Sequence, residues 1–235
     1  MSGLRPEFKV LCPELEAAER AAVEGYMDRH VDQGMGRGYD NYIYRLYWLA
    51  RVSGAERVVE LGCTPGGSTL AFAFAARRAG GTLWSCDIGP VRESTVTEWG
   101  LTLDGWNWQR VSGKRADEFG AEWSGAPVDL VYLDTSHTYE DTIKEFDAWL
   151  PHLREGGLFV FHDVEACRGT VLRAVLDSVL KRGVTVEYHH FPDCHGHGVL
   201  QWFSNHRFNF GSAEDGGLTS LTSALILAGT GPRAS

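Results

Sequence analysis

The feature that most limits what this chain can fold into is an alternation. Apolar, β-branched or aromatic runs at 57–61, 82–86, 108–111, 129–133 and 157–161 are separated by stretches of helical character at 67–79, 91–101, 116–123 and 139–153. Another helical stretch, 169–182, leads into two further strand-like runs at 184–190 and 198–203. Parallel neighbours need a crossover, and a crossover helix packs on the sheet, so strand and helix in turn predict a mostly parallel sheet covered on both faces. Only the last two runs are joined by a short loop, 191–197. They predict a terminal antiparallel hairpin, and with it an α/β fold of seven strands.

Ahead of the sheet, 14–30 reads as an acidic amphipathic helix. A glycine-rich break follows at 33–38, then a second helix over 41–53 with Asp40 as its N-cap. Three segments result: a helical cap at 1–54, the main α/β domain at 55–210, and a tail at 211–235. The tail is rich in Gly, Ser and Thr, a composition that suits partial disorder or subunit contact, and 218–228 within it suits a short helix. At 235 residues and 43% hydrophobic, the chain can bury the core of one such domain. Its net charge of -9 argues against a nucleic-acid backbone or an anionic membrane as partner, since both need clustered Lys and Arg. No apolar run is long enough to span a bilayer, and the first ten residues lack the apolar stretch of a secretory signal. The five cysteines (12, 63, 86, 167 and 194) are scattered and form no C-x-x-C pair. Neither a zinc ribbon nor a disulfide framework is implied, and the expected setting is reducing and cytoplasmic.

The strongest local signal is Val58-Val59-Glu60-Leu61-Gly62-Cys63-Thr64-Pro65-Gly66-Gly67-Ser68-Thr69. A buried strand ends in a glycine-rich turn, and a helix opens directly after it. Gly62 permits the tight turn and a close ligand. Gly66 and Gly67 sit at the helix start, where free N–H groups can meet an anionic group, and Ser68 and Thr69 add hydroxyls. One strand later comes Asp87, placed to accept from a ribose diol. A dinucleotide or S-adenosylmethionine (SAM) would both use this Rossmann-like geometry. Thr64 stands where the G-x-G-x-x-G spacing of a dinucleotide site needs a glycine. Glu60 suits a ligand bearing a sulfonium and an amine better than one bearing a pyrophosphate. Charge therefore favours SAM. After the third strand, Ala116 and Asp117 are candidates for the adenine edge; a helix N-terminus capped by Asp117 is the equal alternative.

A second constellation lies where ligands bind in open α/β sheets, beyond the carboxyl ends of the strands. The fourth strand runs into Asp134-Thr135-Ser136-His137, the fifth into His162-Asp163. Adjacent strands would bring Asp134 and Asp163 together, and two carboxylates at one place repel unless a cation or a proton lies between them. A divalent metal on Asp134 and Asp163, with His162 as a weaker candidate, resolves this: magnesium or calcium for oxygen ligands alone, manganese, iron or zinc if an imidazole joins. Plain hydrogen bonding of the two acids to cofactor or substrate remains the alternative. His137 is a candidate general base, or else a histidine that holds its turn. The run 189–197, with four histidines and a cysteine, meets no zinc spacing and reads as a polar hairpin loop.

On these residues the chain resembles the class I SAM-dependent methyltransferases. Within them it is similar to the group that holds the macrolide-sugar O-methyltransferases and the so-called cephalosporin hydroxylases. The resemblance covers roughly 42–203. It rests on Val59-Glu60-Leu61-Gly62 with Gly66-Gly67-Ser68-Thr69, on a D-x-x-H-x-Y pattern at Asp134, His137 and Tyr139, and on Leu150 to Val164 with its L-x-x-G-G turn. It implies SAM contacts from Glu60, Gly62, Ser68 and Asp87, a magnesium-like ion near Asp134 and Asp163, and His137 as base. It also implies a homodimer and a small hydroxylated acceptor, such as a sugar or natural-product intermediate. Metal-dependent relatives usually carry a second acid before the final Asp, and here His162 stands there. A metal-independent N- or C-methyltransferase is the runner-up. A NAD-linked oxidoreductase and a SAM-binding protein without catalysis stand further off.

Overall fold

The computed structural model describes residues 12, 15–32, 42–166, 169–184, 186–191, 195–202 and 222–226. The chain divides into two compact units, 1–115 and 116–235.

The first unit opens with α1 (Ala17–Asp32) and α2 (Tyr42–Val52). Both the glycine-rich break and the Asp40 cap fall outside the described residues. The next elements are β1 (Arg57–Leu61), α3 (Gly67–Ala79) and β2 (Thr82–Asp87). A single-turn helix α4 (Ser94–Thr97) and β3 (Trp108–Ser112) complete it. All strand pairs here are parallel, in the order β3-β2-β1, with Arg57 opposite Thr82 and Leu83 opposite Trp108. Parallel strands are covered on both faces, and β1 is buried from Val58 to Leu61. On α2 every residue from Tyr42 to Ala50 is buried, and the helix packs on α3. Glu19 of α1, itself buried, pairs with the Arg78 guanidinium of α3. The two leading helices are thus built into this unit's core.

The helix expected over 91–101 contracts to α4. After it, Gly100, with φ of 75°, turns the chain away. The three neighbouring tryptophans pack. Trp99 meets Tyr26 edge-on, with the Arg29 guanidinium 4.1 Å from its ring centre. Trp106 meets Phe74 edge-on. The Trp108 indole N–H donates to Ser85 Oγ at 2.9 Å.

The second unit holds α5 (Ala116–Ala121), β4 (Val128–Leu133), α6 (Tyr139–Trp149) and β5 (Leu153–Phe161). They are followed by α7 (Thr170–Arg182), β6 (Val186–Phe191), β7 (His197–Trp202) and β8 (Thr222–Ile226). The strand order is β4-β5-β7-β6-β8; β4 and β5 are parallel and every later pairing is antiparallel. The expected terminal hairpin is β6–β7. Thr138 caps α6, its hydroxyl accepting from the Asp141 N–H at 3.2 Å. That helix stops earlier than the expected 153, because Pro151 converts its end to a 3-10 turn, Leu150–His152. β5 starts earlier than expected and carries an irregularity, its register shifting between Val128 and Leu130, with Gly156 at φ of 75°. In the tail, the helix expected over 218–228 is corrected to the strand β8, which pairs with β6 from Val186↔Ile226 to His190↔Thr222. An apolar run this short fits either element, and the open edge of β6 supplies partners for a strand's backbone groups. Among the described residues, no helix is long and apolar enough to cross a membrane.

Candidate active site

The glycine turn belongs to the first unit. Gly62, at φ of 80°, turns the chain out of β1 while its N–H donates to the Cys86 carbonyl at 2.8 Å. Gly66, at φ of 113°, precedes α3, where a Cβ would lie 2.1 Å from Thr95 Cγ2. At Gly67 a Cβ would lie 1.9 Å from the Tyr42 hydroxyl and 2.8 Å from Tyr26 Cε1. The pair therefore lets the turn sit against α1, α2 and α4. Gly67→Ala is expected to lower stability by about 1–3 kcal/mol through overpacking, read from the denaturant midpoint.

Asp87 ends β2 and binds this turn. Its carboxylate accepts from the N–H groups of Cys63 (3.1 Å) and Gly89 (2.7 Å) and from the Thr64 hydroxyl (3.2 Å). Burial works against its charge, but these bonds outweigh it and hold the carboxyl below its ordinary range. Glu60 is fully buried. Its carboxylate accepts from Ser68 Oγ (2.6 Å), Thr69 Oγ1 (2.9 Å) and Ser85 Oγ (2.6 Å). The hydroxyls of Ser68 and Thr69, which the sequence offers to a ligand, are thus directed at Glu60. Burial, followed by the Glu60 and Asp87 carboxylates, pushes the Cys63 thiol far up, so it stays uncharged.

In the second unit, Ala116 opens α5 and is buried, and its carbonyl accepts the Trp149 indole N–H at 2.9 Å. Asp117 is half-buried in the first turn of the same helix.

The second constellation assembles wholly within this unit. β4 and β5 pair with Leu133 opposite Phe161, which brings the residues that follow each strand side by side. One donor atom from each of Asp134, His137, His162 and Asp163 lies within 4.8 Å of the other three. His137 Nε2 is 2.9 Å from Asp134 Oδ1 and 3.0 Å from Asp163 Oδ2. His162 Nδ1 faces the same two oxygens at 3.3 and 3.4 Å. His162 is nearly closed to water at 7% side-chain exposure, whereas His137 keeps 25%. Burial would raise the Asp134 carboxyl, but hydrogen bonds from His137 and His162 override it and hold the group far down. Asp163 is likewise lowered against its burial, chiefly by His162. Burial lowers the His137 imidazole, and the Asp134 bond together with both carboxylate charges more than reverses this, so its pKa is raised.

Two features escape sequence reasoning. His195, from the connection between β6 and β7, places Nδ1 3.2 Å from Asp163 Oδ1, and the His197 ring lies 4.4 Å from that of His162. The histidine-rich run is therefore not only a polar loop: 195 and 197 join the cluster, while His189 and His190 face Glu187 and Glu165. No spacing rule ties His195 to Asp163, which lies far upstream. The second feature is conformational. Among the described residues the non-glycine positions with positive φ are His137 (56°), Asp163 (58°) and His195 (62°). All three are cluster members. Such backbone costs on the order of 1 kcal/mol or more per residue and gathers where a site needs side chains aimed in one direction.

Comparison with known proteins agrees with this geometry. Residues 59–164 match a family profile described as "Methyltransferase domain". The SAH-bound methyltransferase PaMTH1 of Podospora anserina superposes with a TM-score of 0.58 at 15% identity, over 81% of this chain and 89% of that one. The O-methyltransferase TomG of Streptomyces achromogenes, involved in tomaymycin synthesis and solved with SAM, gives 0.56 at 19%, over 81% and 91%. An O-methyltransferase of Bacillus cereus in complex with SAH gives 0.56 at 14%, over 77% and 90%. No curated protein matches the chain. The chain thus shares the Rossmann-like α/β fold of these methyltransferases, and its profile match spans 106 of the 235 residues.

Proposed function

We propose that the chain moves the SAM methyl group to an oxygen of a small hydroxylated molecule, a sugar or natural-product intermediate, with help from a divalent ion. The observation that carries this is the Asp134/His137/His162/Asp163 cluster, with backbone strain concentrated on its members. The donor set fits an ion: two carboxylates and two imidazoles each place a donor atom within 4.8 Å of the others, and like charges so close call for a cation between them. Asp134, His162 and Asp163 would hold it. An ion held there would supply Lewis acidity to the acceptor hydroxyl. His137, the more open of the two imidazoles, accepts the hydroxyl proton at Nε2, where Asp134 and Asp163 stabilise the resulting cation. The oxygen then attacks the methyl carbon in line with the C–S bond: C–O forms as C–S breaks, the sulfur leaves as the neutral thioether of SAH, and little beyond positioning is needed. TomG and the Bacillus cereus enzyme are O-methyltransferases by their descriptions, which supports oxygen as the acceptor atom. The acceptor is a small molecule on this reading; the resemblance adds a second copy of the chain, and the scattered cysteines a cytoplasmic setting, as expectations.

On the donor side Gly62, Gly66, Gly67 and Asp87 are the candidate SAM contacts, with Ala116, Asp117 and Asp134 as further ones, while Glu60 and Ser68, bonded to each other, brace the turn. Asp87→Ala is expected to weaken SAM binding by about 1–3 kcal/mol; unchanged affinity in calorimetry would remove the ribose role. The decisive experiment sets SAM, SAH and NAD side by side in calorimetry and repeats methyl transfer in a strong chelator. Binding to NAD alone would defeat the reading. Transfer that survives complete metal removal would favour the metal-independent N- or C-methyltransferase instead.

A further inference from the structure

On that reading of the site, we infer that its ion is a borderline transition metal of the manganese, iron, cobalt or zinc kind, not magnesium, and that Tyr132 and His195 position its carboxylate ligands. The chain's own atoms argue this in three ways.

The first is distance. Donors about 2.0–2.2 Å from one ion, at angles between octahedral and tetrahedral, lie roughly 2.8–3.6 Å apart. His162 Nδ1 is 3.3 and 3.4 Å from Asp134 Oδ1 and Asp163 Oδ2, inside that window and nearly equidistant. A single N–H would have to be shared between the two oxygens in one long, bifurcated bond. A cation between the three atoms serves all of them.

Donor chemistry is the second. Magnesium prefers oxygen, sheds water reluctantly and usually keeps several waters, whereas imidazole suits manganese, iron, cobalt and zinc. His162 and Asp163 are only 7% and 10% exposed at their side chains, which leaves little room for a hydrated ion on their side. The His162 ring is further held by His197, with ring centres 4.4 Å apart.

The third is the outer layer. Each carboxylate shows one oxygen to the imidazoles and has the other tied from behind. The Tyr132 hydroxyl donates to Asp134 Oδ2 at 3.0 Å, and His195 Nδ1 lies 3.2 Å from Asp163 Oδ1. Partners of this kind fix the direction and basicity of metal ligands. Neither touches the ion's own donor atoms, so both are positioning residues.

The test uses the full chain, stripped of metal by a chelator and titrated separately with the chlorides of manganese, cobalt, zinc and magnesium. Transition ions are expected to bind roughly 100-fold more tightly than magnesium, and cobalt loading should produce visible d–d absorption. His162→Glu should collapse that preference by supplying oxygen for nitrogen. His195→Ala and Tyr132→Phe should each weaken cobalt affinity by on the order of 10–100-fold and shift the cobalt spectrum, with SAH affinity unchanged. Tyr132→Phe keeps the ring's volume, and far-ultraviolet circular dichroism checks that each variant is folded. Equal affinity for magnesium and cobalt, no binding of any ion by protein that still binds SAH, or a cobalt spectrum indifferent to both outer variants would overturn the inference and leave the methyl-transfer reading standing. Tight cobalt binding by a chain with no affinity for SAM or SAH would do the reverse.

Discussion

Methyl transfer by the His137→Ala variant is expected to fall by about 10²–10⁴-fold, the usual contribution of a positioned acid–base group. SAH affinity and metal content should stay as they are. The split matters because His137 Nε2 faces the same carboxylate oxygens as His162 Nδ1. A proton acceptor and an ion ligand at that position predict different losses. As acceptor, His137 is needed for turnover and dispensable for the ion. Metal analysis of the purified variant separates the two: a variant that no longer retains the ion would make His137 a ligand, and turnover close to wild type would place the base elsewhere.

The Glu60→Ala variant is expected to lose stability, by about 2–4 kcal/mol. Glu60 is fully buried, and its carboxylate gathers the hydroxyls of Ser68, Thr69 and Ser85, with Trp108 donating to Ser85 behind them. Removing the acceptor leaves several buried donors to find new partners, and each unsatisfied group costs about 1–3 kcal/mol. Three elements, β1, α3 and β2, meet at this one carboxylate, and β3 joins through Trp108. Chemical denaturation measures the effect. A variant with wild-type stability but no SAM affinity would move Glu60 from the scaffold to the donor contacts.

The parts of the fold that were legible from sequence are those whose signal is local. β1, the glycine turn and α3 could be read because an unbroken apolar run stops at glycines and a helical period begins at once. The hairpin β6–β7 could be read because its loop is too short for a crossover. The end of α6 and the fate of 91–101 depended on single residues, Pro151 and Gly100, set within patterns that still looked helical. β8 was hidden because Thr222 to Ile226 has no period long enough to separate strand from helix; its partner on β6 settles the matter.

At the site, Asp134, His137, His162 and Asp163 were visible as chemistry at two strand ends, which adjacency then brings together. His195 was not, since its role comes from a hairpin folding back over Asp163. The use of Ser68 and Thr69 by Glu60 was also hidden, because a hydroxyl beside a glycine turn looks the same whether it serves a ligand or a buried acid.

The pairing of Thr222–Ile226 with β6 bears on any attempt to shorten the chain. Cutting the protein near residue 210, where composition alone would invite the cut, would strip β6 of its outer neighbour. A row of amide and carbonyl groups would then face solvent, ready to zip onto another molecule's strand. Clumping of such a truncated protein would report a lost border, with the cluster of Asp134, His137, His162 and Asp163 itself untouched.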